Sequence, residues 1–288
     1  MSHPARAAVF GQPIAHSKSP SLHQAAYARL RVPIDYQRVE AGTGQARELT
    51  ARMRTEPGWT GASVTMPLKQ AMVPLMDSIS ERVQRLGVLN TIVVGRAEGR
   101  VHLRGENTDV DGIVRALGDA GAYRVGAVAV LGAGGTASAA TEALRSMGAQ
   151  SVDYVVRDGS RAAGVLELAT TLGCTAEAID VATAARRLEG YDAVVSTLPP
   201  HAADGLIQDL DLPTLRPGTA LLDVAYDPWP SALASAWEAA GGTVIGGLSM
   251  LLHQAVEQVK MFSGVTEADW GQVTNVMCDA VGLPHPRN

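Results

Sequence analysis

The sequence predicts an α/β chain of two domains, the second built on a doubly wound parallel sheet. Three observations predict it. Short apolar runs alternate with helical stretches along nearly the whole chain. The run at 127–131 stops at Gly132-Ala133-Gly134-Gly135-Thr136-Ala137, and a helix pattern over 138–147 begins at once. That glycine turn lies near the middle of the chain, so residues 1–108 must form something else. With 46% hydrophobic residues in 288, the chain can bury a sizeable core. A net charge of -5 and 4% aromatic residues leave no footprint for nucleic acid. The first ten residues lack the apolar centre of a signal peptide, and no run approaches a membrane span. Cys174 and Cys278 have no metal-ligand spacing and read as buried thiols in a reducing compartment. These features predict a cytoplasmic protein with a small-molecule partner, no metal, and neither nucleic acid nor membrane to bind.

In chain order, residues 7–11 read as a strand, and Ser19-Pro20 opens a helix to about Leu30, with serine as N-cap and proline next. Residues 34–40 form a strand, 44–54 a helix and 61–65 a strand. Pro67 opens a helix towards Met76, and 78–86 is helical after it. Residues 91–95 and 100–104 flank a hairpin turn at 96–99. A helix from Asp109 to Gly118 then leads to the glycine turn. Beyond it, strands at 151–156, 175–179, 193–197, 220–224 and 243–246 alternate with helices at 160–172 and 231–240. Two helices, about 248–262 and 266–281, end the chain.

Several stretches carry chemistry. The glycine turn reads as G-x-G-x-x-A. Its glycines let the backbone approach a pyrophosphate, and the helix N-terminus favours negative charge. In Gly11-Gln12-Pro13-Ile14-Ala15-His16-Ser17-Lys18-Ser19-Pro20, the hydroxyls of Ser17 and Ser19 stand two residues apart. Extended chain would turn both to one side, where they could meet a small anion such as a carboxylate; alternatively, Ser19 only caps a helix. Lys69, in Gly61-Ala62-Ser63-Val64-Thr65-Met66-Pro67-Leu68-Lys69, falls in a first helical turn, where the dipole disfavours a cation; a solvated surface lysine is the alternative. Asp109 ends Gly105-Glu106-Asn107-Thr108-Asp109 and suits an N-cap. Asn90 precedes a strand and suits a turn, and Gln254 lies on the helix after Gly246-Gly247-Leu248-Ser249-Met250, where it could simply be polar surface.

The order of these blocks is more specific than any one of them. G-x-P-I-x-H-S-x-S-P, V-T-x-P-x-K, L-N-T, G-x-N-T-D, G-x-G-G-T-A and G-L-x-M-L-x-x-Q follow one another and closely resemble the shikimate dehydrogenase family over nearly the whole chain. The resemblance implies an N-terminal α/β substrate domain (1–108, joined by 247–288, with the C-terminal helices returning to it) and a Rossmann-type NADP-binding domain (109–246). It implies reversible NADPH-dependent reduction of 3-dehydroshikimate to shikimate, on the path to chorismate and the aromatic amino acids, by a monomer or homodimer. Ser17 and Ser19, with Thr65 nearby, would hold the carboxylate; Asn90 and Gln254 would bind ring hydroxyls. Lys69 and Asp109 would be the catalytic pair, and Tyr226 would stand at the substrate's edge. Gly132, Gly134, Gly135, Thr136 and Ala137 would hold the pyrophosphate, Arg157 and Arg161 a 2′-phosphate, while Gly247 and Met250 would line the nicotinamide pocket.

Two departures stand out. The family usually has asparagine where this chain has Ser63, leaving only a hydroxyl for the substrate. The family's N-R-T-x-x-R becomes Val156-Arg157-Asp158-Gly159-Ser160-Arg161. The two arginines match a 2′-phosphate, whereas Asp158 could bond a free ribose hydroxyl, so NADP is expected with NAD as the alternative. A NAD-dependent quinate/shikimate dehydrogenase and a non-catalytic shikimate or quinate sensor are the competing readings.

Overall fold

The computed structural model describes residues 4–97, 99–204, 212 and 214–286. It divides into two compact units, Met1–Thr108 with Leu252–Asn288, and Asp109–Leu251. The elements begin with β1 (Ala5–Gly11), α1 (Ser19–Leu30), β2 (Ile34–Glu40), α2 (Ala46–Thr55), β3 (Trp59–Val64), α3 (Leu68–Ala71), β4 (Ser78–Ile79) and α4 (Glu81–Leu86). Then come β5 (Thr91–Ala97), β6 (Arg100–Glu106), α5 (Asp109–Asp119), β7 (Ala127–Leu131), α6 (Gly135–Ser146), β8 (Ser151–Val155), α7 (Ala163–Thr171), β9 (Thr175–Ile179) and α8 (Val181–Arg187). The last are β10 (Ala193–Ser196), β11 (Ala220–Asp223), α9 (Ala232–Ala239), β12 (Thr243–Gly246), α10 (Gly247–Ser263) and α11 (Trp270–Val281).

In the first unit the sheet order is β2-β1-β3-β5-β6-β4. β1 runs parallel to β2 and β3, while β5 returns antiparallel against β3 and pairs β6 in a hairpin. Phe10, Leu68, Met72, Leu89, Ile92 and Leu103 are fully buried in its core. The hairpin turn expected at 96–99 includes Glu98, which lies outside the described residues.

In the second unit all six strands are parallel, in the order β12-β11-β10-β7-β8-β9. The winding reverses between β7 and β10, the switch point where such sheets bind ligands beyond the carboxyl ends of their strands. The doubly wound sheet is thus present, with a core that includes Ala129, Val194, Leu221 and Trp237. Cys174 and Cys278 are buried and neither forms a disulfide. No helix among the described residues is long and apolar enough to cross a membrane.

The sequence expectations fail locally in three places near the site. The helix expected from Pro67 to Met76 is two fragments, α3 and a 3-10 turn at Val73–Leu75. Pro74 lacks an N–H, and its ring opposes the carbonyl four residues back. A four-residue helix has little dipole, so the unfavourable field inferred for Lys69 falls away. Residues 78–79 form a strand on β6, and Ser80 caps α4 by accepting from the Val83 N–H. Ser19 is the first residue of α1, whose N-cap is Lys18 with no side-chain bond. Lys18 has helical dihedrals, so the extended geometry expected for the serine pair is absent; the Ser17 hydroxyl instead accepts from the Ser19 N–H at 3.3 Å.

Candidate active site

The loops after β1 and β3 are stitched together. The Thr65 N–H donates to Phe10 O at 2.9 Å and the Gln12 N–H to Met66 O at 3.0 Å. Gly11 allows this closeness, because a Cβ there would stand 2.3 Å from Thr65 Cγ2. Arg38 donates from Nε and Nη2 to the Ser17 carbonyl, at 3.0 and 2.5 Å, and pins the serine loop to β2. The Leu89 N–H donates to the Lys69 carbonyl at 3.1 Å, tying α3 to the turn before Asn90. These bonds gather Ser17, Ser19, Thr65, Lys69 and Asn90 from three separate stretches of the first unit. Ser17, Ser19 and Asn90 are buried, and Lys69 and Thr65 are half-buried.

Asn90 is bonded at both ends of its amide. Its Oδ1 accepts from the Thr91 hydroxyl and the Thr108 N–H, both at 2.8 Å. Its Nδ2 donates to Thr108 Oγ1 at 3.0 Å and to Gln254 Oε1 at 3.2 Å. Gln254 thus lies beside Asn90 and is buried rather than polar surface.

Ser63 is occupied. Its hydroxyl accepts from Tyr36 at 2.6 Å and donates its single proton to Gln258 Oε1 at 2.6 Å, leaving no proton to offer a substrate. Sequence reasoning missed this arrangement: His23, Tyr36 and Gln258, all fully buried, lie at its centre. His23 stacks on Tyr36 with ring centroids 4.0 Å apart, and burial pushes its pKa down to about 3 against a weaker upward pull from Gln258. The same burial raises the Tyr36 phenol well above its ordinary range, with hydrogen bonds to Ser63 and Ser19 opposing it. One signal was available: Gln254 and Gln258 stand four apart on one helix and so share a face.

In the second unit, Gly132 follows β7 with φ +99, and Gly134 is the N-cap of α6 without a side-chain cap. The helix starts at Gly135, three residues before the expected Ser138, so Gly135, Thr136 and Ala137 form its first turn. Backbone N–H groups therefore line the turn where an anion would bind. A Cβ on Gly132 would lie 2.8 Å from Thr197 Oγ1. Gly132→Ala should lose about 1–3 kcal/mol, from left-handed strain and this clash. A urea titration beside an NADPH KM measurement checks it: unchanged stability and KM would show that the turn tolerates a side chain.

Arg157 and Arg161 are exposed beyond β8. Asp158 between them caps the Gly159–Ala162 turn, accepting from the Ser160 N–H at 3.0 Å and hydroxyl at 2.7 Å. These bonds, both to Oδ1, hold its carboxyl below the usual carboxylate range. Asp109 is buried as the first residue of α5. Tyr226 is half-buried after β11, and Met250 is buried on α10. At Gly247 a Cβ would fall 2.1 Å from Val224 O, so glycine is needed there for close backbone packing.

A parallel sheet wound in this order, with a glycine turn leading from its first strand into a helix without a side-chain cap, defines a Rossmann-type dinucleotide-binding domain. Residues 9–92 match the model of the shikimate dehydrogenase substrate binding domain. A shikimate dehydrogenase (NADP(+)) of Methylobacterium radiotolerans is 35% identical over 271 residues, covering 90% of this chain and 91% of that protein. The crystal structure of Mycobacterium tuberculosis shikimate dehydrogenase is 36% identical, with a TM-score of 0.80 over 96% of this chain and 100% of that one. Thermus thermophilus shikimate 5-dehydrogenase, solved in complex with NADP(H) and shikimate, is 29% identical, with a TM-score of 0.76 over 96% of this chain and 99% of that one. The chain belongs to the shikimate dehydrogenase family.

Proposed function

We propose that this protein is a shikimate dehydrogenase that reversibly reduces 3-dehydroshikimate to shikimate with NADPH, on the route to chorismate. The observation that carries the reading is the stitching of Ser17, Ser19, Thr65, Lys69 and Asn90, with Gln254 alongside, into one part of the first unit. In this reading Ser17, Ser19 and Thr65 hold the carboxylate, while Asn90 and Gln254 take the ring hydroxyls. Tyr226 stands at the substrate's edge. Ser63, its proton already donated, offers the substrate only a lone pair. The turn at Gly132, Gly134, Gly135, Thr136 and Ala137 fits a pyrophosphate, Arg157 and Arg161 fit a 2′-phosphate, and Gly247 and Met250 border the nicotinamide. When bound, the nicotinamide supplies the hydride. Lys69 supplies positive charge and a proton to the oxygen that becomes the alcohol, and Asp109 orients it. Buried cysteines at 174 and 278 that form no disulfide favour a cytoplasmic enzyme.

Spectrophotometric assay of shikimate and quinate with each cofactor tests the reading. Shikimate with NADP is expected to give the highest kcat/KM, and Arg157→Ala should lower kcat/KM for NADPH about tenfold or more while leaving NADH nearly unchanged. A preference for NADH or quinate would favour the quinate/shikimate alternative. No turnover with any pair would leave the sensor.

A further inference from the structure

We propose that Gln258 is a positioning residue for substrate binding, holding Asn90 through its backbone carbonyl and the Thr91 hydroxyl, alongside the Thr108 N–H, and fixing Ser63 and Tyr36 behind Ser19. The inference rests on the reading of Asn90 and Ser19 as substrate-binding groups. Gln258 is 0% exposed, and both ends of its amide are used. Nε2 donates to the Asn90 backbone carbonyl at 3.1 Å and to Thr91 Oγ1 at 2.8 Å. Oε1 accepts from Ser63 at 2.6 Å and meets His23 Nε2 at 3.3 Å.

The proton order in this chain has a single direction. A backbone carbonyl can only accept, so the atom of Gln258 facing Asn90 O is the amide nitrogen, and the atom facing Ser63 and His23 is the oxygen. Ser63 must then donate to Gln258, and Tyr36 must donate to Ser63. His23 carries its proton on Nε2, and Nδ1 accepts from the Tyr27 hydroxyl at 3.1 Å. On the other side, Thr91 accepts from Gln258, so its own proton is committed to Asn90 Oδ1. Together with the Thr108 N–H, which donates to the same oxygen, this holds Asn90 with its oxygen towards Thr91 and its nitrogen towards Gln254. An apolar residue would fill this space without the desolvation cost of a buried amide; what the amide adds is a fixed direction for every hydroxyl it touches.

The test compares Gln258→Met, which keeps length but removes the bonds, with Thr91→Val and Thr91→Ser. Gln258→Met and Thr91→Val should each raise shikimate KM about tenfold or more, with kcat and NADPH KM within about threefold. Thr91→Ser, which keeps the hydroxyl, should stay near the parent. If Gln258→Met does not fold, the two Thr91 variants decide the matter. A lower melting temperature with shikimate KM unchanged in Gln258→Met, or in Thr91→Val, reduces the network to core filling and overturns the proposal. Asn90→Ala separates the two levels. If it raises KM while Gln258→Met does not, only the positioning role falls; if it leaves KM alone, the assignment of Asn90 and the inference fall together.

Discussion

Replacing Lys69 with alanine is expected to reduce kcat at least a hundredfold, about 2.7 kcal/mol, while shikimate KM stays within about threefold. Hydride delivery to a carbonyl leaves an alkoxide, which must be met by positive charge or a proton as it forms. An interaction made mainly as that charge develops is lost from kcat rather than from binding. Truncation should leave the surroundings intact, because the backbone of α3 is held by bonds that do not involve the lysine side chain, including Leu89 N–H to Lys69 O. Lys69→Arg divides the role further, since a guanidinium keeps the charge but does not release its proton. Recovery with arginine would mean that charge alone suffices. Turnover of the alanine variant within tenfold of the parent, a loss of only ~1.4 kcal/mol, would remove Lys69 from the chemistry.

His23 should make the fold acid-sensitive from just below neutrality. The unfolded chain takes up a proton on this imidazole near pH 6.5, whereas the folded chain resists it until about 3. Between these values the unfolded state binds more protons, so stability falls as pH falls. The contribution is fully present above 6.5, reduced by about 2 kcal/mol at pH 5, and down by about 5 kcal/mol near pH 3. Urea unfolding at pH 7 and pH 5 checks this, comparing the parent with His23→Leu. The parent should lose about 2 kcal/mol more than the variant over that interval. Equal losses would mean that the folded state accommodates the proton, against the burial of His23 between Tyr36 and Phe262.

The strands were readable because each apolar run is short and bounded by turn residues, and β2, β9 and β12 fall where the pattern places them. The motifs were readable because they are local: each occupies a single loop or helix start. Features that depend on distant partners were hidden. Nothing near Ser63 announces that Tyr36 and Gln258 will take up one lone pair and the proton of its hydroxyl. Ser19 read as a cap because Ser-Pro commonly starts helices; here α1 begins on the serine itself, one residue earlier than a cap would allow. The helix expected after Pro67 overlooked Pro74, although that breaker was in plain view.

The bond between His23 and Gln258 joins residues 235 apart in sequence, and the one between Asn90 and Gln254 spans 164. During synthesis, the parallel sheet of residues 109–251 has all its strands before the second half of α10 is made. The first unit, although begun earlier, waits for α10 to bring Phe262, Gln258 and Gln254 against it. Order of birth and order of completion are therefore reversed: the portion translated first is the last to be finished. A chain truncated after residue 251 would hold every strand of the second unit, and a first unit in which Asn90, Ser63 and His23 lack their partners Gln254 and Gln258.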